Sequence, residues 1–483
     1  MRNVSNPGWW SRLAVAAALV AGAAACGGGG SSGPPPAATC TDGSRNGGET
    51  DVDCGGPSCP RCAADRLCAA ATDCLSGLCE GRCVSCGQLE QRMASALDAF
   101  ADPTLTVPNV TDSAFTLLLQ RADGHRFVHR SPHGYSYTDR NGQTVTQGPS
   151  TETTSYQSAS TSKWVSATVI LWLVDQGTTA LTLGTTAHAL VPGWPDDGVT
   201  LAHLLDFTSG YPTEPCTPLL ASSPVTACPL TPSAQAVSCL DKPGFDFQDC
   251  ALAIAGVNPI RTSPGSAFHY ASTHLQVAGL LATVAAGKPW SQLFADFQAQ
   301  TGLFAHSAFD LPSASNPRLA GGMHWTGADY LEFLVALQAN LTPKGTALLS
   351  KGASGSWERL LADERAGAAV VYSPVWGVGT PPGGGLGEDW SYGFGNWLEC
   401  PTATTKGGFN CGAAHRNSSP GAYGAYPFID FDHRYAGLVA RQSGTTGTYP
   451  EGIAIFRSVQ DPTGQTGKPA LASQWAASAD CGP

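Results

Sequence analysis

Charge is scarce in this chain, and basic charge most of all. Only 13% of the 483 residues are charged, and 26 lysines and arginines face 37 acidic residues, for a net charge of −11. That balance offers no basic face to nucleic acid, so no nucleic-acid partner is expected. Lysine itself is rare: there are seven, and Lys163 alone has a serine three positions upstream. The N-terminus lacks a long apolar run. Leu13 to Ala25 follows Arg2 and Arg12, is too short to span a bilayer, and reads as a secretory signal (residues 1–26) closing on small residues before Cys26. Large apolar side chains are nearly missing between Cys40 and Cys86, which excludes a hydrophobic core in that segment.

Cysteine fills that gap: nine of the chain's 17 cysteines fall in residues 40–86. After an export signal, disulfides are the expected staple. The rival is zinc, because Cys59-x-x-Cys62 and Cys83-x-x-Cys86 have four-cysteine spacing. Five further cysteines and an oxidising compartment argue against it, and the acidic run Glu49, Asp51, Asp53 lacks calcium-loop spacing, so no metal is expected. With Cys26 set aside, nine cysteines in the module and seven beyond it are both odd numbers. Full pairing therefore needs a bridge between the two groups, and Cys86 with Cys481 is our candidate. Cys216, Cys228, Cys239 and Cys250 cluster in a loop-rich insertion, and Cys400 with Cys411 would close a short loop. Gly27 to Thr39 has no periodicity and reads as a tether (27–39).

Ala23-Ala24-Ala25-Cys26 resembles the bacterial lipobox, with Ala23 where leucine is usual. The resemblance implies lipidation at Cys26, and Gly27 in place of aspartate implies outer-membrane sorting. An exported, lipid-anchored envelope protein is the expectation. The Thr50-Asp51-Val52-Asp53-Cys54-Gly55-Gly56 segment resembles short repeats near the N-termini of bacterial surface lipoproteins, which implies a spacer or adhesion role.

Chemistry enters at Ser160-Thr161-Ser162-Lys163. Serine and lysine three apart at the start of an apolar helical run share one face of one turn. A serine hydroxyl needs a base to become a nucleophile, and a lysine is that base when burial lowers its pKa toward neutrality. Trp164 to Gln176 supplies the burial, being apolar on nearly all sides, and Gly177 is the expected stop. Ser160 would sit at the positive end of the helix dipole, which favours an alkoxide. A capping serine beside a snorkelling lysine is the structural alternative.

From Gly87 the pattern is globular. Leu89 to Phe100 reads as a helix, and residues 114–121 and 126–130 read as strands around a hairpin at Asp123-Gly124. Helix, hairpin, then nucleophile helix is an α+β order. His125, His129 and His133 lie in strand and loop, where a spacing of four does not converge on a metal.

Five further segments follow. Val199 to Gly210 carries Leu204-Leu205 and Thr208-Ser209-Gly210; Tyr270-Ala271-Ser272 precedes a helical run to Ala286; Gly321 to Asp329 precedes another helix; Asp389 to Trp397 is aromatic; and Ser419-Pro420-Gly421-Ala422 leads toward Tyr426 to Asp430. In this order, with 110 residues from Ser160 to Tyr270 and 149 from Tyr270 to Ser419, they resemble the serine β-lactamase and penicillin-binding-protein superfamily. The resemblance implies a mostly antiparallel sheet flanked by helices, a helical lobe, and a site between them, over residues 87–483. It implies Ser160 as nucleophile, Lys163 and Tyr270 as proton relay, Ser272 and Ser419 facing substrate, and an oxyanion hole from the N–H groups of Ser160 and Ala422 beside Gly421. No cofactor is required.

The third motif departs from the family. Ser419 stands where the family has lysine or histidine, His415 would need a shift of several residues, and Pro420 lacks a ladder donor. The missing cation removes the usual partner of a β-lactam or D-alanyl carboxylate, which favours an esterase-like hydrolase. A D,D-peptidase or β-lactamase and a non-catalytic surface-binding scaffold stay open.

Overall fold

The Asp123-Gly124 hairpin opens the main sheet. The structure is a computed structural model describing residues 39–101, 114–132, 134–138, 144–195, 197–211, 239–257, 262–365, 367–375, 377, 385–388, 390–399, 416–443, 449–460 and 471–481. Seven strands, labelled in chain order, form that sheet: β1 (Thr116–Arg121), β2 (Arg126–Arg130), β3 (Ser391–Tyr392), β4 (Trp397–Leu398), β5 (Arg416–Ser418), β6 (Tyr426–Asp430) and β7 (Tyr435–Ala440). Their spatial order is β3-β4-β5-β6-β7-β1-β2, with every pairing antiparallel. The first hairpin thus completes a sheet begun near the C-terminus, through Thr116 opposite Ala440.

Six helices matter for the site. They are α1 (Cys86–Ala101), α2 (Ser162–Asp175), α3 (Thr273–Ala286), α4 (Gly327–Ala339), α5 (Tyr449–Gln460) and α6 (Leu471–Ala477). Gly327 lets α4 approach one sheet face, because a Cβ there would lie 3.3 Å from Leu118 and 3.4 Å from Ala440. Phe428 and Phe456, with ring centroids 4.1 Å apart, join the other face to α5. Every residue of α2 from Ser162 to Leu173 is buried, as its all-round apolarity predicts. Trp164 packs edge-on against Phe333 of α4, and Trp172 against Phe297. The expected glycine stop holds, with Gly177 following α2 at φ 61°, and Gly287 ends α3 in the same way at φ 62°. Among the described residues no helix is long and apolar enough to cross a membrane.

Four disulfides staple the N-terminal segment: Cys40–Cys59, Cys54–Cys62, Cys68–Cys79 and Cys74–Cys83. Cys86 bonds to Cys481, the pairing put forward from the cysteine arithmetic. All four cysteines of the zinc spacing are consumed by these bonds. The acidic run serves the backbone instead, with Asp53 accepting from Gly43 N–H at 2.9 Å and Asp51 from Leu67 N–H at 2.6 Å. The module rests on the larger unit: Leu78, Val84 and Leu89 pack against Leu471, and Ala479 N–H donates to the Leu75 carbonyl. Cys239 bonds to Cys250, whereas Cys26, Cys216, Cys228, Cys400 and Cys411 lie outside the described residues.

Candidate active site

Ser160 does not begin α2. It sits in the middle of a 3-10 turn, Ala159–Thr161, which runs into α2 at Ser162. Ala159 holds φ at +44°, a left-handed conformation costing an alanine about 1–3 kcal/mol. Neighbours over-determine that turn. Ser158 N–H donates to the Met323 carbonyl at 2.8 Å, the hydroxyls of Ser158 and Ser162 bond to each other, and Met323 N–H donates to both oxygens. From α4, Tyr330 donates its hydroxyl to the Thr161 carbonyl at 2.7 Å. Burial holds that phenol far above its ordinary pKa, so it stays a neutral donor.

Lys163 lies one residue into α2 and is 3% exposed. Its Nζ is 2.9 Å from Ser160 Oγ and 2.9 Å from the Ala320 carbonyl, which fixes the amine on the side facing the serine. The same Nζ stands 4.8 Å from the centroid of the Tyr270 ring. Serine, lysine and tyrosine, 110 residues apart in sequence at the extremes, therefore meet.

Tyr270 is gripped by rings. Trp397 stacks on it at 5.0 Å, Phe207 lies at 5.7 Å and Tyr392 at 5.9 Å. Phe207 reaches this position from a left-handed backbone, φ 62°, within the Leu204 to Gly210 segment, and stacks at 4.8 Å on His274. Beside it, burial raises the Asp206 carboxyl to about 7 against the hydroxyl and N–H of Thr208 that hold it. The described part of the aromatic segment, Trp390 to Trp397, carries two short strands folded at Gly393 to Asn396, where Gly393 N–H donates to the Asn396 carbonyl across the turn at 2.9 Å. Trp390 and Trp397 are each 2% exposed. Trp397 supports Tyr270 directly, and Trp390 packs edge-on against Trp397.

The third segment lies against the nucleophile turn. Ser419 Oγ donates to the Ser160 carbonyl at 3.1 Å. A Cβ on Gly421 would fall 2.7 Å from the Ser158 carbonyl oxygen and 3.0 Å from Thr161 Cγ2, so that position needs the glycine. Pro420 costs the ladder nothing: Ser419 N–H bonds Pro427 and Gly421 N–H bonds Ala425, and the proline falls between these two donors. Ala422, half-buried, follows Gly421 in the turn to Ala425. Arg416, the cation nearest in sequence, is no substitute for the missing lysine. It is half-buried on the α5 side, 2.6 Å from Asp430, with its guanidinium over Phe428 and Phe456.

Two contacts were not foreseen. Ser272, expected to face substrate, is buried and accepts from Arg318 Nη2 at 2.8 Å. Ala320, just ahead of the Gly321-Gly322 pair, offers its carbonyl to Lys163. The glycine pair was the available signal: a Cβ on Gly321 would sit 3.4 Å from the Ala159 backbone, so the pair lets this segment stack on the nucleophile turn. His125 pairs with Glu90 at 2.8 Å and His129 lies 3.4 Å from Asp98, ordinary side-chain contacts; His133 lies outside the described residues.

An antiparallel sheet with helices on both faces, and a buried helix entered through the turn that carries Ser160, make up a β-lactamase-like fold. The beta-lactamase family profile matches residues 123–457, and the chain belongs to that family, whose members are typically serine hydrolases. Among solved structures, a candidate beta-lactamase from Bacteroides dorei DSM 17855 is 23% identical over 76% of this chain and 96% of its own, with a TM-score of 0.53. EstCE1, a hydrolase with promiscuous acyltransferase activity, is 16% identical over 76% of this chain and 97% of its own, also at 0.53. These likenesses establish the fold. No curated protein matches the chain by sequence.

Proposed function

We propose that the protein is a serine hydrolase that works through an acyl-enzyme, with esters its preferred substrates. The observation that carries this is the 2.9 Å contact between Lys163 Nζ and Ser160 Oγ in a buried setting. A neutral Lys163 amine donates to the Ala320 carbonyl and presents its lone pair to the Ser160 hydroxyl. Ser160 then attacks the acyl carbonyl, its proton passes to Lys163, and the N–H groups of Ser160 and Ala422 receive the oxyanion. Tyr270, beside the amine, relays a proton to the departing alcohol. Water releases the acyl group by the reverse relay. Export and lipidation at Cys26 belong to the same proposal and rest on the N-terminal sequence.

Preference for esters follows from the third segment, where Ser419 spends its hydroxyl on the Ser160 carbonyl and contributes no positive charge. The test is turnover of an activated ester and of a penicillin by the wild-type protein, Ser160→Ala and Lys163→Ala. Rapid ester hydrolysis lost in both variants supports the proposal. A long-lived penicillin adduct without ester turnover would replace it with a penicillin-binding peptidase, and inertness toward both would favour a binding scaffold.

A further inference from the structure

Next to Tyr270 lies a histidine that no step of the mechanism uses. His274 stands in the first turn of α3 and is fully buried. Its Nε2 lies 2.8 Å from the His269 carbonyl oxygen, and its Nδ1 lies 2.8 Å from Ser209 Oγ. A carbonyl oxygen only accepts, so Nε2 carries the hydrogen. With the ring neutral, Nδ1 accepts from the Ser209 hydroxyl, whose oxygen receives the Tyr211 N–H at 3.3 Å. The imidazole is thereby oriented from both edges.

Two of its contacts lead to Tyr270. The carbonyl it holds belongs to the peptide bond that enters Tyr270, and the N–H of that same peptide donates to the Tyr372 carbonyl at 3.1 Å. That peptide plane is held at both of its polar ends. The other contact runs through the ring face: the imidazole stacks on Phe207 at 4.8 Å with 12° between the planes, and Phe207 packs against the Tyr270 ring at 5.7 Å. Phe207 keeps a left-handed backbone, φ 62°, and its carbonyl accepts from His269 N–H at 3.0 Å. The Tyr270 ring centroid in turn lies 4.8 Å from Lys163 Nζ, which is 2.9 Å from Ser160 Oγ. The hydroxyl is the part of Tyr270 farthest from its backbone, so a small tilt of peptide or ring moves it most. His274 touches both of the parts that set that tilt.

We propose that His274 is a positioning residue for the proton relay, fixing the Tyr270 hydroxyl where it hands a proton to the departing alcohol. This rests on the serine hydrolase reading above and goes beyond it: a buried histidine governs how basic a leaving group the enzyme can expel. When the tetrahedral adduct collapses, the bond from the acyl carbon to the alcohol oxygen breaks and that oxygen keeps the electron pair. It also takes, through Tyr270, the proton that Lys163 removed from Ser160. p-Nitrophenolate leaves without that proton, whereas ethoxide needs it. A variant that misplaces the Tyr270 hydroxyl therefore loses esters of basic alcohols and keeps the nitrophenyl ester.

The experiment measures kcat/KM, which reports acylation, for p-nitrophenyl, phenyl and ethyl butyrates, so that the acyl group is constant while the leaving group grows more basic. His274→Phe keeps a ring against Phe207 and takes the N–H from the His269 carbonyl. It should lower the phenyl and ethyl esters at least about tenfold more than the nitrophenyl ester, the scale of a misplaced catalytic group. His274→Gln, whose amide N–H can reach the same carbonyl, should fall between. Tyr270→Phe should show the same selective loss, and adding His274→Phe to it should change the ratio little. Ser209→Ala, which removes the hydroxyl at Nδ1, should shift the ratio the same way by a smaller factor, and it carries the test if His274→Phe does not fold. A histidine that only packs predicts the contrary: all three esters fall by one factor, in step with urea unfolding. That uniform loss, or a selective loss that stays undiminished on top of Tyr270→Phe, overturns the assignment and leaves the hydrolase reading intact. No Ser160-dependent turnover of any ester overturns both.

Discussion

Gly421→Ala tests whether the third segment really abuts the nucleophile turn. The added Cβ would sit 2.7 Å from the Ser158 carbonyl oxygen, where ordinary contact begins about 0.7 Å farther out. Ser158 cannot simply retreat, because its N–H and its hydroxyl are both bonded to the backbone of Met323. The strain would pass along the turn to Ser160, two residues on, whose carbonyl is also tied to Ser419. Overpacking of this kind costs about 1–3 kcal/mol. A displacement of several tenths of an ångström at a nucleophile lowers kcat by about ten- to a hundredfold. Activated-ester turnover and urea unfolding should be measured on the same preparation. Gly87→Ala is the control: nothing lies within 4 Å of a Cβ there, in the first turn of α1, so stability should rise by about 0.4–1 kcal/mol and turnover should hold. Wild-type kcat together with wild-type stability in Gly421→Ala would refute the packing argument.

Asp206 gives a pH signature. Its folded pKa of about 7 lies above the ordinary value of an unfolded aspartate, so the folded state holds the proton more tightly. Between about pH 4 and pH 7 stability therefore falls as pH rises, by up to roughly 4 kcal/mol over the range. Asp206→Asn should flatten that slope in unfolding curves taken at several pH values, and an unchanged slope would count against it. Replacing Cys86 and Cys481 with serine together opens a bond spanning 395 residues. Stability should drop by about 3–5 kcal/mol in chemical unfolding, and an unaltered midpoint would show that the bridge adds nothing to the packing of Leu78, Val84 and Leu89 on Leu471.

The sequence carried the elements whose cause is local. α2 was legible because twelve consecutive residues, Ser162 to Leu173, are buried, and its end because Gly177 accepts a positive φ. The hairpin at Asp123-Gly124 was legible in its turn residues. Parity required a bridge between the module and the rest of the chain, and the pair put forward for it, Cys86 with Cys481, is the one that forms. Ser160, Lys163 and Tyr270 were legible as a set because each stands in a recognisable local motif, and the fold brings them to one place. What was hidden depends on contacts distant in sequence. The left-handed turn at Ala159 is held by bonds from Met323 and Tyr330, more than 160 residues away, and only the glycines that leave room for it, Gly321 and Gly421, show in the sequence. Ser272 pointed to substrate by analogy, but Arg318 claims its hydroxyl from 46 residues away. The turn within the aromatic segment, at Gly393 and Gly395, is masked in the sequence by the rings on either side of it.

The central claim, that Ser160 becomes an acyl-enzyme with Lys163 as its base, is met most directly by locating the covalent bond. The protein is quenched in acid seconds after mixing with an activated ester, digested, and the acylated peptide identified by mass spectrometry. We expect one acyl group on the peptide spanning Ser160, none in Ser160→Ala, and accumulation slowed at least about a hundredfold in Lys163→Ala. An acyl group on any other residue, or undiminished acylation of Ser160→Ala, would contradict the account.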